Sequence, residues 1–414
     1  MLTGFIISLY LSLSQLILGG LFLQHPPMLA KGKYDFIRYD LNHLYQSDST
    51  SLASFQNALQ QRWQGKQPLL NIVHIGDSHI QADFFTAVVR EKFQSIPQWG
   101  NAGRGFFFPC EIAGSSAVYN ISAQTTGYWQ GCHILQASKN CNWGLSGFTA
   151  STQQENAQLS VWSNVYALRP HKTQWLRIYF DNAQELPQTP VKIQQQGAWL
   201  PPDSQNPLYA AFRLTEPAAK IQLSISPQQC PNKQFSLEGV YSQEQETGVL
   251  YHALGVNGAT VNAFLRSPKL GTQLATLSPD LIVVSLGTND VYTDTFDPVA
   301  FENQLYALVQ TLKSAAPKAS ILLTTPGDHY YKGKSNAHLL AANEVIYAVA
   351  KAENCAVWDF FAVMGGVNAI PKWLQAQLAS RDYLHLSRKG YELQGELFYQ
   401  ALTQPFFDNP ANSR

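Results

Sequence analysis

The chain has 414 residues, in which 28 lysines and arginines balance 28 aspartates and glutamates, and charged residues make up 14% of the total. This balance excludes the basic surface expected of a nucleic-acid-binding protein, and it excludes an acidic tail. At about 150 residues per domain, the length allows two or three domains.

The first 30 residues carry no charged side chain, and residues 4–23 are almost continuously apolar. A stretch of about 20 apolar residues is typical of an export signal or of a membrane-spanning helix. No basic residue precedes it, which is unusual for both, and a buried helix is the third alternative. We favour an export signal that is either removed or kept as a membrane anchor.

Residues 31–65 are predicted to form a helical lead-in, with Ser49, Ser51 or Ser54 as the N-cap of a helix that continues to Trp63. The apolar run that follows predicts a buried strand.

That strand extends from Leu69 to Ile75, and Gly76 ends it with a tight turn. Ser78 comes next, and a helix is predicted from Ala82 to Phe93. A serine between a strand and a helix is a common position for a nucleophile, although helix caps use serine equally well.

A glycine-rich loop, residues 99–109, surrounds Arg104. Two interpretations are open: the loop approaches a ligand closely and Arg104 binds it, or Arg104 pairs with a carboxylate in a tight surface loop.

From residue 111 to 245 the sequence is rich in Gln, Ser, Thr, Asn and Pro, and short alternating runs are separated by turn residues. This pattern is typical of a β-sandwich. The clearest runs are 174–180, 191–194, 210–214 and 220–225.

Five cysteines cannot all pair with one another. Cys132 and Cys141 are close in sequence and flanked by loop residues, so an exported chain could join them in a disulfide. Cys355 lies in an apolar run and is predicted to be a buried thiol. No metal-ligand pattern is present, and no metal or other cofactor is predicted.

Strands and helices alternate over residues 246–407, which predicts a doubly wound parallel sheet. Polar motifs follow its strands. Gly258 lies in an Asn-Gly-Ala turn and Asn289 in Gly-Thr-Asn-Asp, and a backbone N–H or an amide of this kind can stabilise an oxyanion. Near the C-terminus, Asp382 precedes His385 by three positions, so that one turn can present an acid and a base.

The order Gly-Asp-Ser, Asn-Gly-Ala, Gly-Thr-Asn-Asp and Asp-x-x-His resembles the SGNH (GDSL-type) hydrolase family. The resemblance implies a three-layer α/β/α sheet and ester hydrolysis through an acyl-serine. It also implies that Ser78 is the nucleophile, that His385 is the general base and that Asp382 orients it. The oxyanion hole would comprise the N–H groups of Ser78 and Gly258 and the Asn289 side chain.

The serine and glycine blocks are much further apart than is usual in this family, which indicates an inserted β-domain at 111–245 between hydrolase segments 66–110 and 246–407. This layout resembles the peptidoglycan O-acetylesterases of Gram-negative bacteria, in which the insert is jelly-roll-like. The implied function is removal of O-acetyl groups from a cell-envelope glycan in the periplasm. The insert would then be a possible carbohydrate-binding module.

The same residues would serve a lipase, a thioesterase or an O-acetyltransferase, and a catalytically silent glycan-binding protein is a further alternative. His79 and His329 are candidates for substrate contact, while Asp77 and Asp290 are interpreted as structural. The expected partner is a glycan or a small ester, with possible membrane anchoring through residues 4–23.

Overall fold

A computed structural model describes residues 32–136, 141–164, 167, 169–181, 186 and 188–412. The chain divides into two compact units, residues 1–34 and 35–414, and the fold below is that of the second unit. The predicted export segment at 4–23 lies outside the described residues. Within the described ranges, no helix is both long enough and apolar enough to cross a membrane.

The centre of the second unit is a seven-stranded sheet whose strands are parallel, except for an antiparallel strand at one edge. The strand before the predicted nucleophile is in the middle and is buried along almost its whole length. From the antiparallel edge, the strands in order are Leu44–Gln46, Ala356–Trp358, Ser320–Thr324, Leu281–Ser285, Leu69–Gly76, Gly248–Gly255 and Asn101–Gly103.

The strand order reverses at Leu69–Gly76. Its neighbour on one side is Gly248–Gly255, with Gly76 opposite Gly255, and its neighbour on the other side is Leu281–Ser285, with Gly76 opposite Ser285. The carboxyl ends of these three strands are therefore level with one another. In doubly wound sheets this reversal leaves a crevice at the carboxyl ends, where ligands bind.

The helices follow the predicted alternation. Pro298–Ala315 packs against Leu339–Ala352, and Phe84–Ser95 packs against Arg388–Phe407. In chain order the described α-helices are Ala53–Trp63, Ser78–Gln81, Phe84–Ser95, Val261–Leu265, Leu270–Ala275, Pro298–Ala315, Leu339–Ala352, Phe360–Met364, Ile370–Gln375 and Arg388–Phe407.

Two local predictions are corrected. The helix predicted from Ala82 to Phe93 is two helices, because Asp83 adopts a left-handed conformation (φ 58°) between them. The lead-in at 31–65 is only partly helical, since Leu44–Gln46 forms the antiparallel edge strand before the helix Ala53–Trp63.

Two antiparallel sheets occupy the middle of the chain, and their strands match the alternating runs found in the sequence. The five-stranded sheet has the order Ala198–Leu200, Val191–Gln195, Lys220–Ile225, Ala157–Ser163 and Ile121–Thr126. The larger sheet has the order Ser204–Gln205, Tyr209–Ala218, Thr173–Phe180, Phe235–Gln243, Phe148–Thr152 and Gln130–His133, with Gly105–Phe107 also pairing with Phe235–Gln243.

The molecule is thus a mixed α/β protein with parallel and antiparallel sheets, consistent with an SGNH hydrolase fold. One buried core runs from the central sheet into the antiparallel sheets. The domain boundaries at 110/111 and 245/246 stay a prediction. Cys132 and Cys141 form a disulfide, while Cys355 is a buried thiol.

Candidate active site

The structure brings five of the predicted site residues to one edge of the central sheet. Ser78, Gly258 and Asn289 each follow one of the three strands at which the strand order reverses. Asp382 and His385 reach the same edge from the loop before the last long helix. The crevice expected at the reversal therefore contains all the groups that sequence motifs placed after separate strands.

Ser78, His385 and Asp382 form one chain of hydrogen bonds. Ser78 Oγ is 3.0 Å from His385 Nε2, and His385 Nδ1 is 2.8 Å from Asp382 Oδ2. Because a carboxylate can only accept, Nδ1 carries the proton that it donates to Asp382, and Nε2 is left to accept the Ser78 hydroxyl proton. In this arrangement the serine is hydrogen-bonded to a base, His385, and the carboxylate of Asp382 fixes the tautomer of that base.

The Asp382 carboxylate is held by its own loop. Its Oδ1 accepts the backbone N–H groups of Leu384 and His385, each at 3.0 Å. Tyr383, which lies between Asp382 and Leu384, has a left-handed φ of 55°. Partial burial raises the pKa of Asp382, but the bonds from Leu384 and His385 outweigh burial and keep the pKa below its ordinary value. The carboxyl group is therefore charged in the neutral pH range.

A tight turn presents Ser78. A Cβ on Gly76 would lie 2.3 Å from Ile80 Cγ1 and 2.9 Å from the Ser285 carbonyl oxygen, so only glycine fits. Asp77 then caps the short helix, since its Oδ1 accepts the His79 N–H at 3.0 Å. This is the structural role predicted for Asp77. Burial raises the pKa of Asp77 to about 6.

The predicted oxyanion donors lie around Ser78. In the described part of the chain, neither the Ser78 N–H nor the Gly258 N–H donates to a protein acceptor. Asn289 Nδ2 contacts the Ala259 carbonyl oxygen at 3.1 Å and Asp77 Oδ2 at 3.3 Å. These two backbone N–H groups and one side-chain amide follow three adjacent strands that end level with one another, and they are the kinds of donor that can stabilise an oxyanion.

Gln81, which was not predicted from the sequence, supports this group of donors. The side chain is buried; its Oε1 accepts the Asn257 N–H at 2.7 Å, and its Nε2 donates to the Ser116 carbonyl oxygen at 2.7 Å. Gln81 therefore ties the Gly258 turn to the helix that begins at Ser78. The only sequence signal was its position, one helical turn after Ser78.

The two histidine candidates are held in place by neighbouring groups. The His79 ring is 5.3 Å from the His385 ring, and Nδ1 is 2.8 Å from the Tyr391 hydroxyl. Burial and, to a smaller extent, the nearby His385 lower the pKa of His79 to about 3. His329 is buried, and it donates from Nδ1 to the Gly327 carbonyl oxygen while Nε2 accepts from Asn336, both at 3.0 Å.

Asp290 is a cap, as predicted. Its carboxylate accepts the Val261 N–H at 3.1 Å, at the start of the helix Val261–Leu265. Burial raises the pKa of Asp290 to about 7. A large fraction of this carboxyl group is therefore protonated and uncharged at neutral pH.

Arg104 is not at this crevice, so the ligand-binding interpretation is corrected. The side chain is buried, and its guanidinium pairs with Asp83 at 2.9 Å. Asp83 also binds Arg90 at 2.7 Å. Arg104 pairs with a carboxylate, as in the alternative interpretation, but this ion pair lies in the protein interior and not at the surface.

Comparison with known proteins agrees with this fold. Residues 234–393 match the model of the GDSL-like Lipase/Acylhydrolase family, which confirms the family resemblance inferred from the four motifs. The match, together with the relatives below, supports the assignment to the esterases.

Two relatives are informative. A solved structure of a peptidoglycan O-acetylesterase superposes with a TM-score of 0.72 and 20% sequence identity, covering 88% of this chain and 99% of that one. A multidomain esterase from Ruminococcus flavefaciens is 27% identical over 149 residues, which are 34% of this chain. The matched region spans only 18% of that esterase. The first likeness shows a shared fold over most of the chain.

Proposed function

We propose that the protein is a serine esterase that removes O-acetyl groups from a cell-envelope glycan such as peptidoglycan, through an acyl-serine intermediate. The observation that carries this proposal is the chain of hydrogen bonds from Ser78 through His385 to Asp382, at 3.0 and 2.8 Å.

In the first half of the proposed reaction, Ser78 Oγ attacks the ester carbonyl carbon while His385 Nε2 takes the hydroxyl proton. Asp382 stabilises the imidazolium that forms. The bond between the carbonyl carbon and the sugar oxygen then breaks, and His385 gives its proton to that oxygen. The products of this half are a free sugar hydroxyl and an acetyl group on Ser78.

In the second half, water replaces the sugar. His385 takes a proton from the water as the water oxygen attacks the acetyl carbon, and the bond to Ser78 Oγ breaks. His385 then returns the proton to Ser78, and acetate leaves.

In both halves the carbonyl oxygen becomes negative and needs donors. The N–H groups of Ser78 and Gly258 are the proposed backbone donors. Asn289 would exchange the longer of its two contacts, the one with Asp77, for the oxyanion. Removing one such donor typically costs about 10²–10³-fold in kcat.

The choice of substrate is supported by the fold shared with a peptidoglycan O-acetylesterase, which extends over 88% of the chain. With 88% of the chain covered, most of residues 111–245 must fall within that extent. We propose that residues 111–245 form an inserted, jelly-roll-like β-domain that contributes to glycan binding. Export directed by residues 4–23 would bring the enzyme to the periplasm, where such a glycan lies.

The test is acetate release from O-acetylated peptidoglycan by the purified protein and by Ser78→Ala. The variant is expected to lose about 10³-fold or more in kcat while retaining its circular dichroism spectrum, because it lacks the attacking oxygen. Ser163→Ala is the matched control, since that hydroxyl accepts a backbone N–H from His171 within the antiparallel region.

Three other outcomes would replace the proposal. Cleavage of a long-chain ester without acetate release would indicate a lipase. Transfer of acetyl groups to a sugar acceptor in place of water would indicate a transferase. Unchanged acetate release by Ser78→Ala would exclude the acyl-serine route.

A further inference from the structure

Tyr383 belongs to the loop that carries Asp382 and His385, and three further tyrosines form a group with it: Tyr330, Tyr331 and Tyr292. The rings of Tyr383 and Tyr330 are stacked, with centroids 4.9 Å apart and planes 12° apart. The Tyr330 N–H also donates to the Tyr383 carbonyl oxygen at 2.8 Å. Tyr383 itself keeps a left-handed backbone, a strained conformation for a residue with a bulky side chain.

A second pair continues this group. Tyr331 belongs with Tyr330 to the short hairpin formed by Tyr330–Tyr331 and Lys334–Ser335. Its ring meets that of Tyr292 edge to face, with centroids 4.9 Å apart. Tyr292 is 41% exposed and the other three rings are partly exposed, so the group presents aromatic surface to solvent. Lys332 binds Asp294, which links the hairpin to the loop of Tyr292.

The proposed chemistry determines which part of a substrate would meet these rings. The carbonyl oxygen must point toward Gly258 and Asn289, because the donors are there. The leaving oxygen must lie beside His385, because that imidazole gives it a proton. In a sugar ester the leaving oxygen is part of the sugar, so the sugar ring lies on the His385 side, where Tyr383 is two positions away in the same loop.

We propose that Tyr383, Tyr330, Tyr331 and Tyr292 form a sugar-binding platform that receives the pyranose ring carrying the acetyl group. This inference rests on the proposed function and adds the subsite for the leaving group. The apolar C–H face of a pyranose packs on an aromatic ring, and the phenol hydroxyls can bind sugar hydroxyls. The platform would select sugar esters over small esters without entering the bond-breaking steps.

The test uses Tyr330→Leu and Tyr292→Leu, which remove rings outside the catalytic loop. Tyr45→Leu is the matched control, because Tyr45 is 42% exposed and packs edge to face on Tyr347 at the far edge of the sheet. The substrates are O-acetylated disaccharide released from peptidoglycan by a muramidase, and p-nitrophenyl acetate. Binding of N,N′,N″-triacetylchitotriose, which has no ester, is measured by calorimetry.

For the two platform variants, we expect KM for the disaccharide and Kd for triacetylchitotriose to rise about tenfold, the effect of losing one stacking contact. Turnover of p-nitrophenyl acetate should stay within about twofold of the unmodified protein. The control should match the unmodified protein in all three measurements.

Unchanged chitotriose binding in both variants would overturn the platform, as would absence of chitotriose binding by the unmodified protein. Parallel losses on both ester substrates would also overturn it, because they would indicate a disturbed catalytic loop. Failure of the proposed function is recognised separately, as absence of acetate release by the unmodified enzyme.

Discussion

The buried carboxamide of Gln81 links the two segments that carry the backbone donors of the candidate oxyanion hole, one at Ser78 and the other at Gly258. Gln81 lies on the helix that begins at Ser78, and it accepts from the Asn257 N–H beside Gly258. Gln81 therefore helps to fix the position of the Gly258 N–H relative to Ser78, together with the Val256 N–H, which donates to the Gly76 carbonyl oxygen at 3.1 Å. A small displacement of the Gly258 N–H would lower the reaction rate substantially, because oxyanion donors act only at short range.

We predict that Gln81→Leu lowers kcat for p-nitrophenyl acetate about 10- to 100-fold with little change in KM, since the interaction strengthens only in the transition state. The control is Gln94→Leu. Gln94 is equally buried, at 3% exposure, and binds the carbonyl oxygens of Gly103 and Val249 away from the site. Equal kcat losses in the two variants would show that the effect is general destabilisation.

The residues that could be predicted for the site are those whose chemistry is set locally. Ser78, Gly258 and Asn289 each follow an apolar strand in a short motif, and Asp382 and His385 lie on one turn. Gln81 was missed because its partners Asn257 and Ser116 are distant in sequence. For Arg104 the sequence left two interpretations open, and pairing with a carboxylate is the one that the structure shows. Arg104 is buried by strands that follow it, and Asp83 reaches it only because the helix breaks there.

At the scale of elements, the break between the helices Ser78–Gln81 and Phe84–Ser95 positions a buried ionic cluster. Asp83 has a left-handed backbone and places its carboxylate between Arg90, Arg104 and the Thr86 hydroxyl. Burial raises the pKa of Asp83, but the charges of Arg104 and Arg90 outweigh burial and lower it to about 2. The cluster joins the helix Phe84–Ser95 to the loop from which the antiparallel strands begin.

We predict that Asp83→Asn lowers the free energy of unfolding by roughly 3–5 kcal/mol at pH 7, because two buried guanidinium groups lose the carboxylate that pairs with both of them. The folded pKa is below the unfolded value of about 3.9, so this contribution is present above pH ~4 and is lost as the pH falls toward 2. Urea unfolding at pH 7 and pH 3.5 measures the difference. Asp40→Asn, which breaks an exposed pair with Arg38, should cost far less.

A difference that stays the same at both pH values would show that the charge of Asp83 is not what stabilises the cluster. In that case hydrogen-bond geometry alone would explain the loss.

The longer strands of the antiparallel sheets could be predicted, whereas the short edge strand Leu44–Gln46 could not. The runs 174–180 and 220–225 alternate over several residues, and they match the strands Thr173–Phe180 and Lys220–Ile225. Leu44–Gln46 has three residues, too few to show a period, and it is a strand only because its neighbour in the sheet, Ala356–Trp358, offers hydrogen bonds. Its existence depends on a partner more than 300 positions away in the chain.

At the scale of the whole molecule, a polar junction joins the antiparallel sheets to the helices of the central sheet. Lys269 binds Asp181 at 2.6 Å and also binds Glu238, which is fully buried. Gln273 donates to the other oxygen of Glu238 at 2.6 Å. Burial raises the pKa of Glu238 to about 7, although the Lys269 charge opposes this shift.

We predict that the protein unfolds in one calorimetric transition and that Lys269→Met destabilises it by about 3 kcal/mol or more at pH 8, because a buried carboxylate loses its cation. Without Lys269, the folded pKa of Glu238 rises further above its unfolded value of about 4.3. Stability is then full below pH ~4.3 and is lost as the pH rises through the folded pKa, so the variant should recover at pH 5.

Lys313→Met is the control for this experiment. Lys313 binds Glu353 at 2.7 Å, and the pair lies within one helical layer. Hydrogen bonding to Lys313 keeps the pKa of Glu353 below its ordinary value in spite of burial, so the cost of this variant should not change between pH 8 and pH 5. Two separate transitions in the unmodified protein would contradict a single cooperative unit.

The distance in sequence between Ser78 and His385 is 307 positions. A ribosome makes chains from the N-terminus at about 5–20 residues per second, so the serine exists for many seconds before its histidine does. In the proposed mechanism the serine has no base throughout that interval, so the growing chain cannot cleave an ester. The order of the residues therefore delays the proposed activity until almost all of the described chain has been made and folded, wherever the protein is at that time.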